Sequence, residues 1–470
     1  MKKIVIIGGG FSGTMTAVHL IQDATGPLEI IIINEKETFN KGIAFNPYSR
    51  EHLLNVLTCK MGAFPDEQEG FLNWIMELDN YRNKDRDIVA GSFLPRYLYG
   101  QYLTHIWTKT IEQAKEKNIL IHLHDSFVTG LHESAGESFL IYLNDGKAIF
   151  ADVCVIANGN HIPRNPRIVN KDFYSSPNYF QNPWSKNAVT GAGCGLPVLI
   201  IGNGLTMVDT VLGLLENGFT NKMISVSPNG FNILPSRNYA FSYTKLTSEL
   251  SDKATLQEIV SLFSRHIKLL KEFGLSAEPI IDSLRPHTQK IWMGLSNEEK
   301  KIFMARLRHL WGVARHRIPL HIHDKIQRLR IEERLLIYAG KLYNMTAAKD
   351  GIIVEFYDRN KKQNMSFTVC RVINCTGPET DLMRLENSFL KDCLINGMIT
   401  QDELKLGINA DPHTYQVINR QGRRHKNLFT LGSNLKGVLW ESTAVNELRG
   451  QAYTVAFNIL ALHEPVAAET

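Results

Sequence analysis

Three glycines near the amino terminus, Gly8, Gly10 and Gly13, have the spacing of a pyrophosphate site. They stand between an apolar run at residues 3–7 and a helix-like segment at residues 14–22. Gly8 would allow a tight turn, Gly10 would leave room for phosphate oxygens, and Gly13 would let the helix pack close to the strand. The positive end of the helix dipole would face the phosphates, so this segment predicts dinucleotide binding.

An acidic residue at the end of the next apolar run supports the same prediction. Residues 28–33 are mostly apolar, and Glu35 stands 22 residues after Gly13. A carboxylate that holds ribose hydroxyls is expected at a spacing of about twenty. Phe11 and Ser12, between the glycines, belong to the same predicted cofactor-binding set. The alternative is a glycine turn that only packs helix on strand, which leaves the acid unexplained.

A second glycine turn occurs near residue 200. The apolar run at residues 197–201 leads into four predicted nucleotide-binding residues, Gly202, Gly204, Leu205 and Thr206. Met207 takes the place of a third glycine, so this helix should lie slightly further from its strand. At residues 227–229 an acid would select NAD, and an arginine would select NADP. These residues are neither, so the choice between NADPH and NADH as the coenzyme remains open. The alternative is a structural unit that has lost its ligand.

Two further apolar runs end in small residues. Residues 151–156 lead into Ala157, Asn158 and Gly159, and residues 371–374 lead into Cys375, Thr376 and Gly377. Small residues at a strand exit let the chain pass close to a bound nucleotide, so all six are predicted cofactor-binding residues. We expect the two strands to be partners in the first nucleotide unit. Ordinary strand-to-loop turns are the alternative.

Composition and motif content exclude several classes of protein. The chain has 470 residues, of which 44% are hydrophobic, and this is ample for two or three domains. The net charge is +5 without a Lys/Arg run, and no apolar stretch approaches about 18 residues. We therefore expect neither nucleic acid nor membrane as a partner, and a cytoplasmic location is the default. The six cysteines form no Cys-x-x-Cys pair and the His-x-His pairs lack a third ligand, so we expect no metal site.

Six basic residues lie close together in the helix-rich part of the chain: Arg306, Arg308, His309, Arg315, His316 and Arg317. They would form either an anion pocket for an acidic substrate or cofactor phosphate, or a solvated basic face beside Trp311. We favour the solvated face.

At this point the motifs resemble a known group. The order of glycine turn, small strand end, second glycine turn and carboxyl-terminal helix is similar to that of two-dinucleotide-binding flavoproteins. Local strings resemble more closely the FAD/NAD(P)-binding protein family that includes bacterial flavin-dependent N-hydroxylating monooxygenases. These strings are GIAF at 42–45, HLLNV at 52–56, PRYLYGQYL at 95–103, GLTMVD at 204–209, NCTGP at 374–378 and WESTAVNELR at 440–449.

The resemblance implies roles for further residues. Arg96 would lie near the FAD pyrophosphate, where a fixed cation suits two negative charges. Asn55 would act at the isoalloxazine ring with its neighbour Leu54, and Val128 joins the cofactor-binding set. Gly432 would close over the flavin, although Ser433 departs from the acid that often follows it. The last helix would begin at Thr443 and Ala444, with its positive end facing the flavin.

The resemblance also implies a domain plan. The fold class would be α/β, with two Rossmann-like dinucleotide-binding domains, for FAD and NAD(P), and a helical insertion in the second. Residues 1–190 and 365–470 would form a discontinuous FAD-binding domain. Residues 191–239 and 331–364 would form the NAD(P)-binding domain, and residues 240–330 the insertion. A capping box at Ser296-x-x-Glu299 supports a helix inside the insertion.

The activity implied is that of an FAD-dependent oxidoreductase. NADH or NADPH would reduce FAD, molecular oxygen would form a C4a-hydroperoxyflavin, and a small amine or amino acid would be N-hydroxylated. Two alternatives stay open. One is a flavin dehydrogenase or oxidase of a small molecule with a vestigial second nucleotide site, and the other is a flavin-bearing redox sensor.

Overall fold

Two sheets of parallel character organise the chain. The structure, a computed structural model, describes residues 1–193, 195–237 and 241–462. The strands are β1 (Lys2–Ile7), β2 (Leu28–Ile33), β3 (Leu120–His124), β4 (Val128–Ser134), β5 (Ser138–Leu143), β6 (Ala148–Ala151), β7 (Val153–Ile156), β8 (Tyr179–Phe180), β9 (Val198–Ile201), β10 (Met223–Ser227), β11 (Leu335–Ala348), β12 (Gly351–Asp358), β13 (Gln363–Val369), β14 (Arg371–Asn374), β15 (Gln416–Ile418) and β16 (Arg424–Thr430).

Helices connect and cover the strands. They are α1 (Phe11–Asp23), α2 (Gly70–Glu77), α3 (Arg86–Ala90), α4 (Arg96–Glu116), α5 (Leu205–Glu216), α6 (Lys245–Glu249), α7 (Leu256–Glu272), α8 (Glu278–Leu284), α9 (Thr288–Gly294), α10 (Asn297–Ile302), α11 (Arg308–Arg315), α12 (Leu320–Ile331), α13 (Phe389–Asn396), α14 (Lys436–Leu439) and α15 (Val445–Ala461). A π-helical turn, Phe303–Leu307, separates α10 from α11. Among the described residues, no helix is both long enough and apolar enough to cross a bilayer.

The first sheet has the strand order β15-β16-β7-β1-β2-β3. Strand β1 pairs in parallel with β2 and β7, and its last four residues are buried. Such continuous apolar runs are typical of parallel strands that are covered on both faces. Helices α1, α4 and α15 share a core with one face, and the antiparallel sheet β4-β5-β6 covers the other together with α13.

The second sheet has the order β13-β12-β11-β10-β9-β14-β8. Strand β14 pairs in parallel with β9, so the expected pairing with β7 in the first sheet is wrong. Both β7 and β14 are four-residue buried strands with similar exits, and periodicity alone does not identify the partner of such a strand. The second sheet therefore includes β8, which precedes the boundary predicted at residue 190. It also includes β13, which runs past the boundary predicted at residue 365, and β14, which follows it.

The chain passes between the two units twice, at residues 157–178 and 375–388, which we call the two crossings. Each crossing begins at the carboxyl end of a parallel strand, β7 or β14. The Asn374 side-chain amide is fully buried and donates a hydrogen bond of 2.9 Å to the carbonyl oxygen of Arg164. This bond ties the end of β14 to the first crossing.

Helices α6 to α12 lie between β10 and β11. Capping boxes open two of them: Thr255 with Glu258 before α7, and Ser296 with Glu299 before α10, the second as predicted. Their apolar side chains form two small cores, and one of these includes Leu406 and contacts Trp440 from the first unit. The inserted helices therefore pack against the carboxyl-terminal part of the chain.

Candidate nucleotide-binding and substrate sites

The first glycine turn lies against the end of β7. Gly8 has φ +103°, and a Cβ on it would lie 2.3 Å from the carbonyl oxygen of Ala157. A Cβ on Gly13 would lie 1.9 Å from the carbonyl oxygen of Gly8, so helix α1 can approach the turn only because residue 13 lacks a side chain. This is the packing role predicted for Gly13, and the turn excludes any larger residue at both positions.

Helix α1 presents an open amino terminus. Its N-cap residue is Gly10, no side chain caps it, and its first turn contains no acid. Uncapped N–H groups at the positive end of a helix form an anion site. Asn34 accepts a hydrogen bond of 2.9 Å from the Gly9 amide, and the exposed Glu35 follows at the end of β2. The pyrophosphate and ribose positions predicted from the sequence therefore lie at one edge of the sheet.

The turn after β16 lies over the first glycine turn and the amino terminus of α1, which together we call the first cradle. Gly432 has φ +75°, and a Cβ on it would lie 3.4 Å from the Ser12 hydroxyl oxygen. The side-chain amide of Asn434 donates to Asn158 Oδ1 at 2.8 Å, which joins this turn to the first crossing. The hydroxyl oxygen of Ser433 is buried without a hydrogen-bond partner among the described residues. A buried hydroxyl without a protein partner is suited to hydrogen-bond a ligand bound at this turn.

The second glycine turn repeats the geometry of the first. Gly202 has φ +110°, and a Cβ on it would lie 2.4 Å from the carbonyl oxygen of Cys375. Helix α5 begins at Leu205 after an N-cap glycine, Gly204, again without a side-chain cap. Cys375, Thr376 and Gly377 therefore belong to this second cradle, because β14 pairs with β9. Thr206 and Leu205 are half-buried in its first helical turn.

The position predicted to select the nicotinamide nucleotide, residues 227–229, carries no charged side chain. At the end of β10, the Ser227 hydroxyl accepts a hydrogen bond of 3.0 Å from the Gly230 amide. The Ser227 side chain therefore stabilises the local turn.

Arg96 lies between the two units. Its Nε donates to the Leu53 carbonyl oxygen at 2.9 Å, and its Nη1 lies 2.9 Å from Asp209 Oδ2 on α5. His52 Nε2 donates to the Asp209 carbonyl oxygen at 3.0 Å. The strings HLLNV, PRYLYGQYL and GLTMVD thus meet at one point, and the contact of Arg96 with FAD remains a prediction.

The remaining predicted residues differ in exposure. Asn55 is exposed, whereas Leu54 is buried and donates its amide to the Leu94 carbonyl oxygen at 2.8 Å. Val128 is buried in the core between the first sheet and the β4-β5-β6 sheet. Ala444 is the N-cap residue of α15, and Thr443 precedes it, exposed. The last helix therefore begins one residue after the predicted pair.

A mixed-charge cluster between the insertion and the WESTAVNELR string was not predicted. Arg285 Nη2 lies 3.5 Å from Glu447 Oε1, and Arg315 Nη2 lies 3.6 Å from Glu441 Oε2. Trp311 Nε1 donates to Glu441 Oε1 at 3.1 Å. We call Arg285, Arg315, Glu441 and Glu447 the interface charge cluster. It joins the end of α11 and the turn between α8 and α9 to the start of α15.

The solvated basic face favoured from the sequence is correct only in part. Arg306 and His309 are exposed, but Arg317 is buried and forms ion pairs with Glu278 and Asp282. Arg315 is 13% exposed in its pair with Glu441. The acidic partners of these arginines are remote in sequence or lie on another helix, so the basic residues alone did not reveal them.

Residues 5–161 match a family model described as FAD-NAD(P)-binding. The ornithine N-hydroxylase KtzI of Kutzneria sp. 744, solved with reduced FAD, NADP+ and L-ornithine, superposes with a TM-score of 0.66 at 15% identity over 98% of this chain and 99% of that one. The chain has the two-dinucleotide-binding flavoprotein fold.

Two other proteins are also similar to this chain. The bacillithiol disulfide reductase Bdr of Staphylococcus aureus has the same kind of fold, with a TM-score of 0.53 at 12% identity over 99% of this chain and 100% of that one. The uncharacterized protein YdhS of Escherichia coli K12 is 28% identical over 193 residues, which are 39% of this chain and 34% of that protein. The aligned part thus spans about a third of this curated relative.

Four of the described cysteines are free thiols: Cys59, Cys154, Cys375 and Cys393. Burial raises the pKa of the Cys375 thiol to about 12, and it raises the pKa values of Cys154 and Cys393 as well. Cys370 is disulfide-bonded, and it precedes β14 at the sheet edge opposite Gly202. Cys194 lies outside the described residues. Among those that are described, no group of three or more His, Cys, Asp and Glu side chains could hold a metal ion.

Proposed function

We propose that the protein is an FAD-dependent, NAD(P)H-driven monooxygenase that N-hydroxylates a small amine or amino acid. The observation that carries the proposal is the repetition of one cradle at the carboxyl ends of parallel strands in two sheets. Gly8 turns against Ala157 and Gly202 against Cys375, each before a helix without a side-chain cap. Two nucleotides on one chain are what a nicotinamide-driven flavoenzyme requires.

The residues of the first cradle fit FAD. The open amino terminus of α1 would hold the diphosphate, and the exposed Glu35 carboxylate would accept hydrogen bonds from the ribose hydroxyls. The Ser433 hydroxyl, buried without a partner, would hydrogen-bond the flavin. Bound FAD would supply the redox chemistry, because it accepts a hydride from a nicotinamide and its reduced form reacts with oxygen. The open amino terminus of α5 would hold the NAD(P)H phosphates.

The insertion would exclude water from this chemistry. Trp292 stacks on Trp440 with ring centroids 5.0 Å apart, and Phe303 contacts Trp440 edge-on at 5.1 Å. Trp292 Nε1 also donates to the Gly437 carbonyl oxygen at 2.8 Å. These apolar contacts seal the insertion against the segment that follows the Gly432 turn. The exposed Asn55 amide would hydrogen-bond the ring edge or the substrate.

Oxygen-18 incorporation tests the proposal. Purified protein should be yellow, and a small amine or amino acid should stimulate its oxidation of NADH or NADPH. Under ¹⁸O₂ the product should gain one labelled oxygen atom on nitrogen, as mass spectrometry would show. Turnover that yields only hydrogen peroxide with every amine and amino acid offered would contradict the monooxygenase proposal.

The uncharged turn at Ser227 favours a second candidate, a flavin dehydrogenase or oxidase of a small molecule. Neither an acid nor an arginine stands at residues 227–230 to select a nicotinamide nucleotide. In that case a substrate should bleach the flavin under anaerobic conditions without NADH or NADPH. Bleaching by a nicotinamide nucleotide alone would favour the first proposal.

A further inference from the structure

A cavity of about 180 Å³ lies where the insertion joins the second nucleotide unit. One wall comes from the segment that follows β10, and the other comes from α8 and the end of α11. Most of its lining is apolar, from Leu234, Pro235, Ala277, Ile281 and Ala314. Pockets that enclose a whole drug-sized ligand measure about 300 Å³ or more, so this cavity suits a single ring.

One buried acidic residue, Glu278, lines the cavity. Its side chain is 8% exposed, and its Oε2 accepts no hydrogen bond from any residue that the structure describes. Arg317 Nη1 lies 3.9 Å from this oxygen, which is too far for a hydrogen bond, and Arg317 donates to Asp282 instead. A buried carboxylate oxygen without a donor is suited to bind an N–H group of a ligand in the cavity.

The charges around Glu278 select the kind of donor. Arg317 is itself buried, and its guanidinium already lies beside the Glu278 carboxylate. Arg237 adds a second positive charge to the lining. An ammonium or guanidinium group in the cavity would be repelled by these cations, and water screens such repulsion poorly at a buried site. The cavity therefore fits a neutral, flat ring that carries an amino group better than it fits an aliphatic amine.

A short segment connects the cavity to the second glycine turn. Asn203, within that turn, donates its side-chain amide to the Phe231 carbonyl oxygen, and Asn203 Oδ1 is buried without a hydrogen-bond partner among the described residues. Leu234, three residues after Phe231, lines the cavity. Three residues of fully extended chain span at most about 11 Å. A dinucleotide with its diphosphate at the glycine turn would therefore have its adenine close to the cavity.

We propose that this cavity binds the adenine ring of the nicotinamide coenzyme, with the 6-amino group donating a hydrogen bond to Glu278 Oε2. The ring packs between Leu234 and Pro235 on one side and Ile281 on the other. The insertion thus takes part in coenzyme binding through a residue outside both glycine turns. This inference rests on the proposed function for the identity of the dinucleotide, but binding is measurable without turnover.

Equilibrium binding of oxidised dinucleotides tests the inference. NAD⁺ and NADP⁺ are each compared with the hypoxanthine counterpart, in which a carbonyl oxygen replaces the 6-amino group, and calorimetry of the FAD-loaded protein gives the affinities. At least one adenine dinucleotide should bind about tenfold or more tightly than its counterpart, because the hypoxanthine oxygen would face the Glu278 carboxylate without a proton between them. E278Q, whose amide both donates and accepts, should reduce the preference to about twofold or less. Equal binding of both members of each pair by the unmodified protein would overturn the inference.

A matched control separates recognition from general damage. Glu298 pairs with Lys301 on the surface of α10, with its side chain 80% exposed, so E298Q should leave the preference unchanged. FAD content and thermal midpoint identify a variant that does not fold. If E278Q does not fold, A314L keeps Glu278 beside Arg317 but fills part of the cavity, and it should weaken binding of the adenine dinucleotide about tenfold. Unchanged affinity in folded A314L, or a preference retained by folded E278Q, would also overturn the inference.

Failure of the proposed function would give different results. Selective binding of an adenine dinucleotide without labelled product would contradict the monooxygenase proposal and leave the adenine site in place. Reduction of FAD by NADH or NADPH together with equal binding of the paired dinucleotides would contradict the adenine site alone. Binding of no dinucleotide to yellow protein would overturn both.

Discussion

Arg96 and Asp209 form an ion pair that joins the two nucleotide units. Arg96 Nη1 at the start of α4 lies 2.9 Å from Asp209 Oδ2 on α5, although the two residues are 113 positions apart. Arg96 also donates to the Leu53 carbonyl oxygen, and His52 donates to that of Asp209. Both residues lie in strings that first indicated a relationship to flavoproteins, and the structure gives these strings a shared role in holding the units together.

Replacement of Asp209 by asparagine should destabilise the protein by about 2 kcal/mol, because Arg96 would keep its charge in a largely buried position without a counterion. Urea denaturation measures the free energy of unfolding. The control is D79N, which removes the exposed partner of Arg82 and should change stability by less than about 0.5 kcal/mol. Equal small effects of both substitutions would show that the inter-unit pair contributes little.

Alanine substitutions should separate the two cradles. G8A places a Cβ 2.3 Å from the Ala157 carbonyl oxygen at φ +103°, so the purified variant should contain little or no FAD. G202A meets Cys375 in the same way and should stay yellow, with reduction by NADH or NADPH slowed about tenfold or more. Gly26, with nothing within 4 Å of its Cβ position, supplies the control G26A. Loss of FAD from G202A but not from G8A would reverse the assignment of the two sites.

His161 in the first crossing should make stability fall in acid. Burial lowers its pKa to about 4, and Glu379 opposes this only partly. An unfolded histidine has a pKa of about 6.5, so below that pH the unfolded chain takes up a proton that the folded protein refuses. The stabilising contribution is complete above pH 6.5 and is lost as the pH falls towards 4. Unfolding free energies at pH 7 and pH 4.5 should differ less for H161Q than for the unmodified protein, and an unchanged difference would exclude His161 as a cause.

The thiols should differ in reactivity. Cys375 is buried, with a pKa of about 12, and the thiolate is the nucleophilic form. Brief treatment with iodoacetamide at pH 8 should therefore modify the half-buried Cys59 before Cys375, and peptide mass spectrometry resolves the two sites. Both should react after denaturation. Faster labelling of Cys375 than of Cys59 in native protein would mean that the second cradle opens readily.

The local parts of this architecture could be predicted from the sequence, and the long-range parts could not. The glycine turns at Gly8 and Gly202 are specified by residues a few positions apart, because backbone conformation and close packing are local demands. The partner of β14 was misassigned because a four-residue buried strand carries no signal about its neighbour. The interface charge cluster was missed because its members come from separate elements. Arg315 at the end of α11 and Glu441 before α15, for example, belong to elements that are remote in the sequence.

The placement of the two crossings has a mechanical consequence. Ala157 and Cys375 are the first residues of the crossings, and they are also the residues against which Gly8 and Gly202 turn. If the two units move relative to one another, the backbone would rotate at residues that also line the two cradles. A coenzyme bound in either cradle would restrict that rotation. The second coenzyme would then bind to a protein whose two units already move less freely relative to one another.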